Sequence, residues 1–291
     1  GIRFCLVSFS PDALALLRYL VASAAMLVLA CFLRPAWPTR TELPRLLFIS
    51  CAGISIYNLL LSYGLAHIRA GPGAFINNSI PLFSTLLAVI ILRERPTVLM
   101  WIGIALSLAG VVVIAVSEAG AGGISAASLL LLGSACCYAC YNVFQKPLLA
   151  RHGAFWVVSW AIWLGTAMLL PFSWQLVGDL RHAAPGTVMV AVLLGLFPTV
   201  AAFLLWSWSL RHSSVSSLSP MLYLVPIVSL LTSRFVLAER VSSRSLLGCG
   251  IVLVGVMLVV RRTVRALPVA PREAALMVPS PRDGIQDKRS A

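Results

Sequence analysis

The sequence predicts an all-α membrane protein, a ten-helix inverted repeat of five helices plus five, with the first helix truncated. Three observations carry that prediction. Of the 291 residues, 60% are hydrophobic and 11% charged, with a mean hydropathy of +0.96. Globular domains carry about 25% charged residues, and a soluble chain of this length needs more polar surface to cover its core. Apolar runs near the roughly 20 residues that cross a bilayer core recur along the chain. Finally, one half of the chain repeats the other at constant spacing.

The elements follow in order. GIRFCLVSF (1–9) is apolar but about half a span, and is expected to be the outer end of a first helix that starts upstream. Full spans are expected at 13–33, 46–66, 72–92, 98–117, 126–145, 155–174, 187–210, 216–237 and 245–260. Short loops between them make neighbours antiparallel. One set of alternate loops holds Arg34, Arg40, Arg45, Arg93, Arg95, Lys146, Arg151 and Arg211, and Arg261, Arg262 and Arg265 follow the last span. The other set holds Arg69, Arg181, Arg240 and Arg244. The richer set marks the cytoplasmic side, which puts the C-terminus inside and the chain in the inner (plasma) membrane. Residues 263–291, with four prolines among mixed charges, read as a disordered cytoplasmic tail.

The repeat is read by aligning IPLFSTLLAVIILRER (80–95) with VPIVSLLTSRFVLAER (225–240). An offset of 145 residues pairs Pro81 with Pro226 and Glu94 with Glu239. It also pairs Ser62 with Ser207, His67 with His212, Gly103 with Gly248 and Gly110 with Gly255. The halves are 1–117 and 118–262. An odd number of helices per repeat inverts one copy relative to the other, the plan of secondary transporters that bind solute between repeats near the midplane.

On those residues, together with FSPDALALLRYLVA (9–22), GIALSLAGVVVI (103–114) and GCGIVLVGVMLV (248–259), the chain resembles an EamA-type member of the drug/metabolite transporter superfamily. The resemblance covers residues 1–262. It implies ten helices, both termini inside, export or exchange of small metabolites, and a cavity lined mainly by the third, fourth, eighth and ninth helices.

Polar residues inside the spans are the candidate site. Asn77, Asn78, Pro81, Ser84 and Thr85 share a face of the fourth helix; Ser55, Asn58 and Ser62 share one on the third; Ser219, Tyr223, Pro226 and Ser229 share one on the ninth. Pro81 and Pro226 each break a ladder mid-span, freeing the carbonyls of Asn77 and Leu222. A packed kink and a cavity-facing hinge both remain open for them. Polar stripes on pseudo-symmetric helices favour a lined passage over simple helix–helix glue. Tyr138, Tyr141 and Asn142 on the sixth helix, Trp160 and Trp163 on the seventh, and Trp206 and Trp208 on the eighth are open between flanking it and packing, and Tyr141, Asn142, Trp163 and Trp206 are taken as its candidates. Asn78 maps onto Tyr223, so the two are expected at matching depths in opposite halves. Arg18, in the outer part of the second span, is open between a bland structural or snorkelling role and one as a gating pair or anion contact. Arg234, near an end, is expected to snorkel. Trp101 and Trp174 fit interface belts.

Other chemistries are poorly supported. The net charge of +13 lies between apolar runs and in the tail, without basic–aromatic patches for nucleic acid. Cys137 and Cys140 have C-x-x-C spacing, but on a helix in lipid they read as packing, and no metal or cofactor is expected. No carboxylate lies mid-span, so coupling would fall to His67, His212 or the solute itself. A membrane serine hydrolase built on Ser55 and His212 lacks an acid partner and an oxyanion hole. The expected function is therefore non-enzymatic carriage of small neutral or zwitterionic metabolites such as amino acids or amphipathic drugs. A phosphorylated or nucleotide-linked solute is the alternative, and needs Arg18, Lys146 or Arg234 in the cavity. The expected partners are the solute and the lipid bilayer, with a homodimer left open.

Overall fold

The computed structural model describes residues 2–67, 77–118, 126–225, 228 and 243–266. Every regular element among them is helical. After the short α1 (Ile2–Cys5), α2 (Pro11–Leu33) is a continuous rod opened by Pro11, whose missing N–H costs nothing in a first turn. The next rod runs through α3 (Leu43–Ser50), a π-helical turn (Cys51–Ile56) and α4 (Tyr57–His67). Then come α5 (Ile80–Ile91), α6 (Val98–Glu118) and α7 (Ala126–His152). The seventh expected span is longer than its apolar run. α8 (Ala154–Leu169) tightens into a 3-10 turn at Leu170–Phe172 and continues as α9 (Ser173–His182). The rod of α10 (Pro185–Leu194), a π-helical turn (Gly195–Ala201) and α11 (Ala202–His212) follows. α12 (Val215–Leu218) leads into a 3-10 turn (Ser219–Tyr223), and α13 (Ser243–Ala266) is the final helix. Among the described residues, four rods are long and apolar enough to cross a membrane: Pro11–Leu33, Leu43–His67, Ala154–His182 and Pro185–His212. Three shorter apolar helices accompany them.

The repeat is visible in the backbone. α4 and α11 begin and end at the same 145-residue offset, each directly after a π-helical turn. His67 and His212, one offset apart, each bond the carbonyl four residues back, at 2.9 and 2.8 Å. The two halves meet where α6 crosses α13. A Cβ on Gly103 would lie 2.7 Å from the Gly255 carbonyl, and one on Gly110 2.7 Å from the Gly248 carbonyl. These two contacts exchange under the offset, as an inverted two-fold requires. Ser107 sits near the axis and donates to the carbonyl of its own repeat mate, Val252, at 3.4 Å. The glycines permit this close approach, the use their spacing predicts.

The proline at position 81 does not kink a running helix. The chain turns at Asn78–Ser79 and α5 restarts with Pro81 in its first turn. Breaking one turn earlier satisfies the same steric demand, because Pro81 then faces no carbonyl four residues back within a helix. The 3-10 turn at Ser219–Tyr223 loosens the other repeat at the matching place. Pro226, Ser229 and Arg234 lie outside the described residues.

The bundle has a basic end, and its loops are stapled there. Glu42 accepts from the backbone N–H and hydroxyl of Thr39 at 3.0 and 2.8 Å and meets His152 Nε2 at 2.5 Å. His152 stacks on Trp156, with ring centroids 4.0 Å apart. Trp156 and Trp160 both donate to the Ala36 carbonyl. Glu94 accepts from the N–H groups of Val215 and Ser216, both at 2.9 Å, and from the Ser216 hydroxyl at 2.5 Å. Lys146 donates to the carbonyls of Leu210 and Ser213. At the opposite end Asp179 accepts from the N–H and hydroxyl of Ser10, the residue before α2, both at 2.8 Å. Large apolar side chains such as Ile90, Phe197 and Leu205 point outward, as a lipid-facing surface requires.

Candidate functional site

The two π-helical turns shape the centre of the bundle. Such a turn inserts one residue into the helical ladder and often marks a functional site. In the first rod the Asn58 side chain folds back on it, donating to the Ile54 carbonyl and to the Tyr19 hydroxyl, both at 2.8 Å. In the second rod the Thr199 hydroxyl donates to the Leu194 carbonyl, five residues back, at 2.9 Å. Arg18, from α2, reaches between them. Its Nη1 donates to Asn58 Oδ1 and its Nη2 to Thr199 Oγ1, both at 3.4 Å. The arginine is 6% exposed, and its Nε has no partner. No carboxylate pairs with it: the single ion pair among the described residues is Glu42–His152.

A second polar group lies toward the basic end. Asn142, fully buried on α7, donates to Ser84 of α5 at 3.3 Å and accepts from Trp206 of α11 at 2.9 Å, joining three helices from both repeats. Three positions along α7, Gln145 accepts from Ser207 at 3.1 Å. The Tyr141 hydroxyl lies beside Ser207 without reaching hydrogen-bond geometry. Aromatic rings connect the two groups. Tyr57 packs on Tyr138 at 4.8 Å between centroids, and Tyr138 on Tyr141 at 5.8 Å, with Phe203 against both.

Among the described residues, seven further buried polar atoms share the condition of Arg18 Nε, lacking a hydrogen-bond partner. They are Ser62 Oγ, Asn77 Oδ1, Thr85 Oγ1, Tyr141 Oη, Gln145 Nε2, Ser219 Oγ and Tyr223 Oη. All come from the expected stripes or from α7. Asn77 lies next to Tyr57, and Asn78 and Pro81 are buried beside it in the broken start of α5. Tyr223 packs in a small apolar cluster with Ile104, Val252 and Val256, against the crossing of α6 and α13. Trp163 stands apart. Its indole donates to the Ser23 carbonyl of α2 at 3.4 Å and packs edge-on against Trp160. Ser55 is used as glue, donating to the Gly165 carbonyl at 3.1 Å, while His212 is exposed at a helix end. The hydrolase constellation therefore has no assembled pair. Cys137 and Cys140 are free thiols, and no group of metal-ligating side chains occurs among the described residues.

Several members of the site are silent in sequence. Tyr19 hides in an apolar run beside Arg18, and Thr199 gains meaning only from the π-helical turn beneath it. Gln145 stands at the end of its expected span. Ser207 carried a signal, its pairing with Ser62 across the repeat. Asp12, buried in the first turn of α2, is a carboxylate that sits at a helix end and so leaves the mid-span interior free of acids.

Known proteins place this geometry. The EamA-like transporter family matches residues 1–116 and 125–261. A protein of Streptantibioticus cattleyicolor named a probable terminal-alkyne amino-acid exporter is 34% identical over 263 residues, covering 90% of this chain and 88% of that one. An uncharacterized transporter of Archaeoglobus fulgidus is 31% identical over 265 residues, covering 90% and 93%. A probable amino-acid metabolite efflux pump of Escherichia coli is 25% identical over 265 residues, covering 87% of each. A solved crystal structure superposes with a TM-score of 0.70 at 19% identity over 90% of this chain and 92% of that one, a likeness of fold. The chain belongs to the EamA-like transporter family and is a membrane transporter, not an enzyme.

Proposed function

We propose that the chain exports small neutral or zwitterionic metabolites, amino acids or amphipathic drugs, by alternating access between its 1–117 and 118–262 halves. The basic end and the C-terminus face the cytoplasm in this reading, with the carrier in the inner (plasma) membrane. The carrying observation is the set of eight buried polar atoms without partners among the described residues, drawn from both halves. A buried unsatisfied group costs about 1–3 kcal/mol. Eight together cost on the order of a whole domain's stability, about 5–15 kcal/mol. A chain retains such groups where solute, or water in a passage, completes them. Hydroxyls, amides and aromatic faces suit amphipathic solutes, and two relatives are named for amino acids or their metabolites.

A phosphorylated or nucleotide-linked solute is less favoured, because Lys146 is engaged with the carbonyls of Leu210 and Ser213 and Arg18 is then the one buried cation left, among the described residues, to balance a doubly charged phosphate. The test pairs stability with affinity and transport. Tyr141→Phe, Tyr223→Phe and Asn77→Leu each delete an orphaned polar atom. Expected are an unchanged or raised melting temperature without ligand, weaker binding of a neutral amino acid, and slower counterflow in liposomes. Loss of stability with intact counterflow in all three would remove the passage from these residues.

A further inference from the structure

Among the described residues, Arg18 is a buried cation without an anion. A guanidinium stays protonated at any physiological pH and carries five N–H donors in a planar fork. Here it lies about 10 Å along α2, counted from Pro11 at 1.5 Å per residue. Its surroundings offer neutral oxygens, and only at 3.4 Å. Both acceptors are already held by other bonds. Asn58 is fixed by Tyr19 and Ile54, and Thr199 by Leu194. Nε donates to nothing, and Nη2 carries a second hydrogen beside it. That edge is the one that grips a carboxylate with two parallel bonds.

Removing a charge from water without a counter-ion is costly, and buried ionic groups are paired in stable proteins. Intramembrane charges accordingly mark the paths of substrates and ions. Three further features fit a ligand here. The π-helical turns of both rods converge on this arginine, presenting Asn58 from one and Thr199 from the other. The α10–α11 rod is drawn close to α2 at this level: a Cβ on Gly195 would lie 2.7 Å from the Arg18 carbonyl. Beyond the guanidinium, Tyr57 begins the aromatic run toward Tyr141 and Phe203, a surface for an apolar tail.

We infer that Arg18 binds the carboxylate of the transported solute, with the solute's apolar side chain laid along Tyr57, Tyr138 and Tyr141. The inference rests on the solute reading above and narrows it from neutral or zwitterionic metabolites in general to zwitterions that present a free carboxylate and an apolar side chain. The arginine is then a selectivity device as well. Amines and amides of the same shape leave the cation unpaired and are rejected, since discrimination against a ligand that strands a buried polar group is strong.

The test uses the full chain in lipid nanodiscs and three probes of similar size: L-norleucine, hexanoate, and L-norleucinamide, which lacks the carboxylate. Dissociation constants come from ligand-dependent melting shifts. The wild type is expected to bind norleucine and hexanoate about 10- to 100-fold more tightly than norleucinamide, the worth of one charge-assisted contact. Arg18→Gln should abolish that preference, weakening norleucine and hexanoate toward norleucinamide, while Arg18→Lys should keep part of it. Arg18→Met, free of ligand, should melt at or above the wild type, because an uncompensated charge has been removed. A wild type that binds norleucinamide as tightly as norleucine overturns the inference but leaves amino-acid export standing. Binding of hexanoate but not norleucine, lost in Arg18→Gln, keeps the carboxylate site and overturns the amino-acid reading instead. Arg18→Met melting well below the wild type, with Arg18→Lys retaining no carboxylate preference, assigns the arginine to structure and overturns the inference.

Discussion

Replacing Glu94 by alanine should loosen the basic end of the bundle by an amount that its contacts predict. Glu94 lies just beyond α5 and reaches across to the start of α12, where its two oxygens take the N–H groups of Val215 and Ser216 and the Ser216 hydroxyl. These N–H groups belong to the first turn of a helix and have no intrahelical acceptor. Losing a capping side chain costs about 0.5–2 kcal/mol, and losing a negative charge at a helix N-terminus a further ~0.3–1 kcal/mol. The expected total for Glu94→Ala is ~2 kcal/mol, a fall in melting temperature of about 4–8 °C. Glu94→Gln keeps one acceptor oxygen and should lose about half as much. Glu94→Met keeps the aliphatic stem but no acceptor, and should match alanine, which separates capping from packing. The assay is thermal unfolding of the purified protein in nanodiscs, followed by the release of buried cysteine thiols to a fluorogenic maleimide. Ser214→Ala serves as a milder reference, since its hydroxyl caps a single N–H, that of Ser217, at 3.2 Å. If Glu94→Ala melts within about 1 °C of the wild type, or Glu94→Met melts like the wild type, the carboxylate is not the clamp described.

Other sites offer equally direct checks. Asn142→Leu strands the Trp206 indole, and a double-mutant cycle with Trp206→Phe should show a coupling of about 0.6–1.7 kcal/mol, the range for hydrogen bonds between membrane helices; a coupling near zero contradicts the bridge. Gly255→Ala puts a methyl 2.3 Å from Ser107 Oγ and 2.6 Å from the Gly103 carbonyl, and should cost about 1–3 kcal/mol. Ser107→Ala should rescue it only in part, because the carbonyl remains; full rescue would mean that the backbones are not in contact. Glu42 is held down to about 2 from its ordinary 4.5, first by the Thr39 N–H and then by His152 and the Thr39 hydroxyl. Its folded value lies below its unfolded one, so its contribution is complete above about pH 4.5 and is lost as pH falls through about 2. Melting profiles of wild type and Glu42→Gln should therefore differ at pH 5 and converge toward pH 2. Parallel profiles would contradict that linkage.

The sequence alone determined what is carried by periodicity and composition. Apolar length specifies membrane helices because a bilayer core has one thickness. The constant 145-residue spacing specifies two copies because coincidence does not sustain one offset across prolines, glutamates and glycines. The inversion of the copies and the close crossing at Gly103, Gly110, Gly248 and Gly255 follow from counting helices and from the size of glycine. The residue types of the site were legible too, since Asn58, Ser62, Asn77, Asn142 and Ser219 are polar in places where lipid would refuse them. Only the tertiary structure decided how those residues are used. Ser55 and Asn58 lie on one stripe, yet Ser55 bonds a neighbouring backbone while Asn58 holds Tyr19 and Arg18. Trp163 and Trp206 look alike in sequence, yet one leans on α2 and the other locks Asn142. The break before Pro81 instead of at it, and the two π-helical turns, depend on which carbonyls find partners across the bundle. That is a property of neighbours distant in the chain. Arg18 shows the difference most plainly. Its charge is written in the sequence, but the absence of an anion beside it among the described residues is a fact about the helices that pack around it.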